Sequence, residues 1–326
     1  MNKKQRLMII DGNALIHRSF HALPPTIATK KGEMVNAVYG FTTVLLKALR
    51  ELEPDYVVLT LDRKEATFRH KEYKEYKGKR VKAPDELYAQ IPRVKEIATA
   101  FGIPIFELAG FEADDLIGTI AKKVDSRVEK IILTGDMDTL QLVDDHTKVY
   151  TMSRGLSDSV LYDEKMVRGR FSLKPEQMID FKALRGDPSD NIPGVRGIGE
   201  KTAVELLHEF KTLDGVYKYL DGRKEKAESV IRPRIKELLK RYKDDAYLSK
   251  RLATINCDTP IDFNLEKVKF GDFDKKAVFD LFSELEFKSL LPRIQAVSGS
   301  SPNNSLNEGQ YAGNKFERNK KEFKYT

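Results

Sequence analysis

The sequence predicts an α/β protein in which a doubly wound sheet is followed by a mainly helical part. Short apolar runs without helical periodicity alternate with helical segments over the first half of the chain, and three of these runs end in aspartate. From about residue 163 the strand patterns fade and helical spacing dominates. A chain of 326 residues is long enough for one large domain or two smaller ones, each with its own core.

The first two predicted strands and the helix between them form a crossover unit. Residues 6–10 are an apolar run before Asp11, residues 37–52 carry apolar side chains at helical spacing, and residues 56–61 are a second apolar run before Asp62. Parallel strands joined in this way have their carboxyl ends at one edge of the sheet. We therefore expect the two aspartates at the same edge.

Residues 63–82 form a predicted basic surface segment. They contain nine Lys or Arg against three Glu, with too little apolar content for a core, and three aromatic rings lie among them: Phe68, Tyr73 and Tyr76. Cations interleaved with rings suit phosphates and unstacked bases. Residues 223–251 are a second basic window, with eleven cations against five acids. One such window alone is more often a solvated helix face, but two beside a carboxylate cluster favour nucleic-acid binding.

A carboxylate cluster follows the third predicted strand. A helix is expected from residue 85 to about residue 101, a strand over residues 103–106, and then Glu112, Asp114 and Asp115 precede an apolar helical run. Like charges this close repel one another, so a cation is expected among them.

Further acids follow the fourth strand and the first helix of the helical part. Residues 130–134 are an apolar run that leads to Asp136 and Asp138, and a helix over residues 175–184 precedes Asp187 and Asp190. The glycine-punctuated turn at residues 192–199 precedes a helix over residues 200–210. Backbone N–H groups at such a helix start form an anion site.

These patterns together predict a site for divalent cations. Oxygen ligands select hard ions such as Mg²⁺ or Mn²⁺, and two such ions ~4 Å apart can promote hydrolysis of a phosphodiester. The alternative is that the acids only cap helices and shape loops, but acids at the ends of three buried strands would then be repeated coincidence. The nine candidate ligands are Asp11, Asp62, Glu112, Asp114, Asp115, Asp136, Asp138, Asp187 and Asp190.

Other function classes are disfavoured. The five histidines have no ligand spacing, and residues 194–202 only superficially resemble a nucleotide-binding P-loop, because Glu200 interrupts the motif and no strand precedes it. The single Cys257 has no base suggested beside it and fits a reducing compartment. There is no signal peptide and no apolar run of ~20 residues, so we expect a cytoplasmic, nucleoid-associated protein without a membrane span.

Seven motifs in order carry a family resemblance. The chain resembles the bacterial 5′ nucleases of the flap endonuclease family, which includes the 5′-nuclease (5′-3′ exonuclease) domain of DNA polymerase I, over roughly residues 6–293. The motifs are Asp11-Gly12-Asn13, Leu61-Asp62, Phe68-Arg69-His70, Phe111-Glu112-Ala113-Asp114-Asp115, Thr134-Gly135-Asp136-Met137-Asp138, Gly186-Asp187-Pro188-Ser189-Asp190-Asn191 and the run from Gly194 to Ala203.

The resemblance implies a fold and a division into domains. It implies a PIN-like (resolvase-like) nuclease domain over residues 1–184 with a helical arch at about 63–82, and a helix-hairpin-helix (H3TH-type) DNA-binding domain over residues 185–293. A disordered tail or linker is expected over residues 294–326. The tail resembles only the start of an interdomain linker, and the sequence leaves open a stand-alone nuclease or a truncated polymerase.

The resemblance also implies roles for individual residues. Asp11, Asp62, Glu112, Asp114 and Asp136 would hold a first metal with the help of Asp115, and Asp138, Asp187 and Asp190 a second. In the arch, Arg69, Lys77 and Arg80 would contact the scissile phosphate region, with Tyr73 and Tyr76 as DNA contacts. The hairpin would grip duplex backbone, sometimes with K⁺, through Gly194, Gly197, Gly199, Lys201 and Thr202. Met137 departs from the Lys that many relatives carry there, which affects no ligand.

The implied function is a metal-dependent 5′-3′ exonuclease and structure-specific flap endonuclease that acts in replication and repair. Its substrates would be DNA with a 5′ flap, 5′ overhang or nick, and RNA primers in RNA–DNA hybrids. We expect a monomer that works with a DNA polymerase in trans if none is attached. A non-catalytic branched-DNA binding module remains an alternative. A PIN-type ribonuclease is disfavoured because such domains are usually shorter and lack the hairpin.

Overall fold

A six-stranded sheet forms the centre of the protein. The computed structural model describes residues 4–156, 158–222, 231–295 and 297. The strand order is β3-β2-β1-β4-β5-β6, with β6 antiparallel to β5 and the other pairs parallel. The first four strands confirm the predicted doubly wound sheet, whereas β5 and β6 were not predicted. The strands are β1 Arg6–Asp11, β2 Tyr56–Thr60, β3 Ile105–Phe106, β4 Glu129–Leu133, β5 Thr147–Arg154 and β6 Asp158–Tyr162.

Helices cover the sheet and make up the second half of the chain. The first six are α1 Gly12–Ala22, α2 Asn36–Leu52, α3 Phe68–Glu72, α4 Asp85–Tyr88, α5 Ile91–Ala100 and α6 Ala113–Lys123. The remaining eight are α7 Glu164–Phe171, α8 Met178–Arg185, α9 Glu200–Phe210, α10 Leu213–Asp221, α11 Pro233–Arg241, α12 Lys243–Ala253, α13 Lys275–Glu284 and α14 Leu291–Gln295.

Alternate residues of β1 serve two different cores. Met8 and Ile10 pack with α2 and α5, while Leu7 and Ile9 pack with α6 and with helices of the second half. All four side chains are fully buried, as the uninterrupted apolar run predicts for a central parallel strand. One core therefore spans the sheet and the helical part.

The chain returns to the sheet after α12. Phe282 and Phe287 are buried in the core that contains Phe101, the residue after α5, and Lys269 forms a β-bridge with Tyr56. The packing of α13 thus ties the end of the described chain to its beginning. The tail predicted to be disordered lies, apart from its first residues and residue 297, outside the described residues, as do residues 223–230 of the second basic window.

The basic segment at residues 63–82 differs from the prediction of a helical arch on the surface. Its helix, α3, has only five residues, and turns follow up to residue 80. The helix expected from residue 85 to 101 is divided into α4 and α5, with Pro at the start of α5. Within the described residues, no helix has both the length and the apolar character that a membrane crossing requires.

Candidate metal and nucleic-acid site

Three predicted acids lie at the carboxyl edge of the sheet, around the point where the strand order reverses. Asp11 ends β1 and caps α1, with its Oδ1 accepting from the N–H of Ala14 at 3.0 Å. Its Oδ2 accepts from the hydroxyl of Thr134, which follows β4, at 2.5 Å. Thr134 also accepts from the N–H of Asp136 at 2.9 Å. The strand ends thus bring Asp11 and Asp136 together, at the position where open α/β sheets bind ligands.

The start of α6 adds the carboxylate cluster to the same edge. Asp62, which follows β2, accepts at Oδ1 from the N–H of Ala113 at 2.7 Å. Glu112 caps α6, and Asp115 accepts from the N–H of Glu112 at 3.1 Å in a capping box. Asp114 faces Asp11 and Asp136 closely enough that their charges raise its pKa. The structure therefore brings Asp62, Asp114 and Asp136 near enough to Asp11 for their charges to interact with it.

Arg69 and Asp115 do not have the roles that were expected. The guanidinium of Arg69 donates two hydrogen bonds of 2.8 Å to the Asp115 carboxylate, and both side chains are buried. Asp115 also accepts from the N–H of Asn256 at 2.9 Å, so its oxygens are fully used. Arg69 donates further to Leu252 O and Thr254 O at the end of α12. The pair therefore fastens three elements together, and neither side chain is free for a phosphate or a metal.

Tyr76 is buried rather than available for stacking on bases. Only 3% of it is exposed, and its hydroxyl lies 3.1 Å from Glu112 Oε2 and 3.2 Å from Asp190 Oδ2. Its ring packs edge-on against His70. Tyr73 is half-buried, and its hydroxyl donates to Glu75. The aromatic pattern of residues 63–82 predicted exposed rings, but the ring of Tyr76 is packed on the buried side of the segment.

Lys77 and Arg80 do reach the acidic site. The ammonium of Lys77 lies 2.7 Å from Glu112 Oε1, and the guanidinium of Arg80 forms an ion pair with Asp190. The backbone N–H of Lys77 also donates to Asp190 O at 2.8 Å. These two cations lie where a phosphate at the acidic edge would meet them, although the structure pairs each with a predicted ligand.

Lys182 on α8 joins two acids of the predicted second metal group. Its ammonium forms ion pairs with Asp138 and, at 2.6 Å, with Asp187. The hydroxyl of Ser189 donates to the other oxygen of Asp187 at 2.6 Å. Asp190 is paired instead with Arg80 and contacts the hydroxyl of Tyr76, but its charge still raises the pKa of Asp138. The three acids expected to share one ion therefore have two different cations of the chain as partners, Lys182 and Arg80.

The electrostatics of the two sides differ. Burial raises the pKa of Asp11 to about 7, with the charges of Asp136 and Asp62 adding to it. Burial and neighbouring acids likewise raise the pKa of Asp114 well above its usual range, and that of Asp138 to about 7. Burial opposes the ionisation of Asp187 too, but the Lys182 ammonium outweighs it and lowers the pKa of Asp187 to about 2.

The glycine-rich hairpin is partly exposed. Gly197, Gly199 and Lys201 are exposed and Thr202 is half-buried at the start of α9. Gly194 is an exception, because it is buried and its N–H donates to the hydroxyl of Ser249 at 2.9 Å. Its φ is +62°, and a Cβ there would lie 2.2 Å from the backbone nitrogen of Gly186. Gly194 therefore shapes the turn instead of offering its N–H to a phosphate.

The residues fit a hard divalent cation by their chemistry. All candidate ligands are carboxylates, and the raised pKa values of Asp11 and Asp114 show that these acids would gain from a positive charge between them. As the side chains stand, no three acids, histidines or cysteines in the described ranges are placed to hold one ion. Ion pairs to Arg69, Lys77, Arg80 and Lys182 engage five of the nine predicted ligands.

Of the four cations that pair with the predicted ligands, only Lys182 was not predicted from the sequence. Lys182 lies inside an amphipathic helix, and no local pattern distinguishes it from a solvent-facing lysine. Its spacing of five residues before Asp187 is the one available signal, and it becomes meaningful only when the turn after α8 folds back. Arg69 was singled out, but its pairing with Asp115 joins positions 46 residues apart.

The comparisons with known proteins assign the class. The model of the N-terminal, resolvase-like domain of 5′-3′ exonucleases matches residues 6–172, and the model of their C-terminal SAM fold matches residues 173–276. The chain therefore belongs to the 5′-3′ exonuclease family, which is a family of enzymes. This confirms the predicted resolvase-like α/β domain followed by a helical domain.

Relatives and solved structures agree with this assignment. The chain is 42% identical over 292 residues to DNA polymerase I of Caldicellulosiruptor bescii, covering 89% of this chain but 33% of the relative, so it spans about a third of that protein. Among solved structures, the T5 5′-exonuclease with bound zinc ions has 19% identity and a TM-score of 0.65, over 87% of this chain and 99% of that one. The catalytic core of Rad2 in complex with a DNA substrate has 18% identity and a TM-score of 0.59, over 90% of each chain.

Proposed function

We propose that the protein is a divalent-metal-dependent 5′ nuclease that cleaves DNA at 5′ flaps, overhangs and nicks. The main observation is that Asp11 and Asp114 are buried beside Asp136, and that burial and the repulsion between the carboxylates raise the pKa values of Asp11 and Asp114, as expected at a site for a cation. Family membership supports hydrolysis from a 5′ end. The T5 enzyme with zinc and the Rad2 complex with DNA support a metal and a DNA substrate for the same fold.

The residues divide the chemistry among them. Asp11, Asp62, Asp114 and Asp136 would hold one ion at the sheet edge, and Glu112, Asp138, Asp187 and Asp190 would serve a second. Bound ions of this kind polarise the phosphodiester, activate water and stabilise the departing 3′ oxygen. Lys77 and Arg80 would leave their acid partners to neutralise the phosphate, since both are at the rim of the site. Asp115 and Arg69 would not contact the ions but would hold the start of α6, and with it Asp114, in position.

The hairpin would position the duplex. Exposed N–H groups near Gly197 and Gly199, together with Lys201, suit the phosphates of one strand, and K⁺ there would add to the contact. Exposed cations at the start of α11 and along it would add to this contact: Arg232, Arg234, Lys236, Lys240 and Arg241. Binding should therefore weaken steeply as salt increases.

The finer properties belong to the same proposal. We infer two Mg²⁺ or Mn²⁺ ions, activity on RNA–DNA hybrids as well as DNA, and a monomer that acts at the nucleoid in the cytoplasm, with a polymerase either attached or in trans. The oxygen-only ligand set supports the choice of metal. We retain residues 1–184 and 185–293 as the proposed nuclease and DNA-gripping parts, with α13 packing back onto the first.

A cleavage assay tests the proposal. The wild-type protein is incubated with a 5′-labelled flap duplex and Mg²⁺, and the products are compared with those of Asp187→Asn and of an EDTA control. We expect cleavage near the branch by the wild type, a strong loss in the variant, and none in EDTA. Binding of the flap without cleavage of any flap, overhang or hybrid would instead favour the non-catalytic branched-DNA binding module.

A further inference from the structure

A single lysine bridges two predicted ligands at the boundary between the sheet and the hairpin. Asp138 lies in the 3₁₀ helix Asp138–Leu142 after β4, while Asp187 lies in the turn after α8. The Lys182 ammonium contacts both carboxylates, and only 15% of its side chain is exposed. A charge held this far from water interacts strongly with its partners, because the effective dielectric constant is low.

We propose that Lys182 is an internal counter-ion that holds Asp138 and Asp187 together and that a divalent cation must displace to bind them. The inference rests on the proposed metal-dependent function and goes beyond it by naming the residue that sets the affinity of the second ion. An ammonium and a metal ion cannot occupy the same space between two carboxylates. Lys182 therefore preorganises the acids in the absence of metal and competes with metal when it is present.

The helix geometry makes this exchange physically reasonable. Lys182 and Arg185 lie in the last turn of α8, where a cation is favoured by the helix dipole, so the displaced ammonium still has the carbonyl end of the helix as a partner. Asp187 keeps the hydroxyl and N–H of Ser189 as donors at 2.6 and 2.9 Å. The carboxylate therefore stays in position when the lysine leaves.

The same chain contains a matched control for this arrangement. The ammonium of Lys250 lies 3.0 Å from Asp180 Oδ1 and 2.9 Å from Asp214 Oδ2, with 28% of its side chain exposed. Lys250 thus also bridges two aspartates, but neither of them is a predicted metal ligand. Removing it should cost stability without changing the binding of a divalent ion.

Metal binding and stability, measured on the full chain, test the inference. Lys182→Met and Lys250→Met are titrated with Mn²⁺ by electron paramagnetic resonance, and thermal unfolding is followed in EDTA and in Mg²⁺. Of the two Mn²⁺ ions, we expect Lys182→Met to bind the one with the lower affinity roughly tenfold more tightly than the wild type does, because the competing positive charge has been removed. It should lose stability in EDTA and regain it in Mg²⁺. Lys250→Met should lose stability equally in both and bind Mn²⁺ like the wild type.

A charge-preserving variant and the wild type separate the possible failures. Lys182→Arg should retain weak second-ion binding and stability in EDTA, and it also covers the case in which Lys182→Met does not fold. Unchanged or weaker Mn²⁺ binding in Lys182→Met would show that Lys182 does not compete with the metal ion. If Lys182→Met does not fold, tighter Mn²⁺ binding in Lys182→Arg than in the wild type would show the same. If the wild type binds no Mn²⁺ at all, the proposed metal-dependent function fails first, and the inference fails with it.

Discussion

The sheet edge and the hairpin side of the site treat their carboxylates differently. At the sheet edge, Asp11, Asp114 and Asp136 form no ion pair within the described residues, and burial with mutual repulsion raises the pKa values of Asp11 and Asp114. On the hairpin side, Asp187 and Asp190 each have a cation from the chain itself. The difference teaches that the repulsion among the sheet-edge acids is not offset by an ion pair in the described part of the chain, whereas Asp187 and Asp190 are neutralised by the chain itself.

The largest expected effect breaks the sheet edge. Asp114→Asn should reduce the rate of flap cleavage by about 10³-fold, because a lost ligand removes several kcal/mol of transition-state stabilisation. In EDTA its melting temperature should equal or exceed that of the wild type, since a repelling charge is removed. Single-turnover cleavage and thermal unfolding measure the two effects. The exposed Asp145→Asn is the matched control, and wild-type cleavage by Asp114→Asn would refute the assignment.

The second prediction concerns the internally paired acids. Arg69→Ala should lower the free energy of unfolding by about 3–5 kcal/mol, because Asp115 is left as a buried charge without its partner. Chemical denaturation measures this change. Arg63→Ala is the control, since its ion pair with Glu65 is exposed to solvent and should contribute little to stability. Equal changes in the free energy of unfolding for the two substitutions would show that the buried ion pair of Arg69 does not stabilise the fold.

A third prediction separates shaping from binding within the hairpin. Gly194→Ala should destabilise the protein by about 2 kcal/mol or more, because the residue has a positive φ and no space for a Cβ. Gly199→Ala should change stability little, since nothing lies within 4 Å of its Cβ position. Urea unfolding compares the two variants. Similar stabilities would contradict the structural role of Gly194.

The smallest expected effect is a pH dependence that distinguishes the acids with raised pKa values, Asp11 and Asp138, from Asp187, whose pKa is lowered. The folded protein binds protons at Asp11 and Asp138 up to about pH 7, whereas unfolded aspartate releases them near pH 4, so stability in EDTA should fall as pH rises through this window. Asp187 acts oppositely, and its contribution is lost only as pH falls from about 4 towards 2. Thermal unfolding between pH 4 and 8 tests this. The slope should flatten in Asp11→Asn and in Mg²⁺, and an unchanged slope in both would contradict the prediction.

Much of the catalytic half was predictable because its signals are local. An apolar run followed by aspartate specifies a buried strand and a sheet-edge acid at once, which is why Asp11, Asp62 and Asp136 were placed correctly. The carboxylate cluster at the start of α6 was equally predictable, because the acids and the helix start are adjacent in the sequence. Strands β5 and β6 were missed because their apolar pattern is mixed with charged residues at the sheet border.

The sequence by itself determined the order of the first four strands, the nine acids as candidate ligands and the likeness to 5′ nucleases. Only the tertiary structure decided which acids have partners: Arg69 and Tyr76 turn inward, Lys182 lies between Asp138 and Asp187, and Asp190 joins Glu112 instead. The physical reason is that strand ends and helix caps follow from neighbouring residues. Pairing between buried charges instead depends on which distant segments share a low-dielectric space, which no local pattern records.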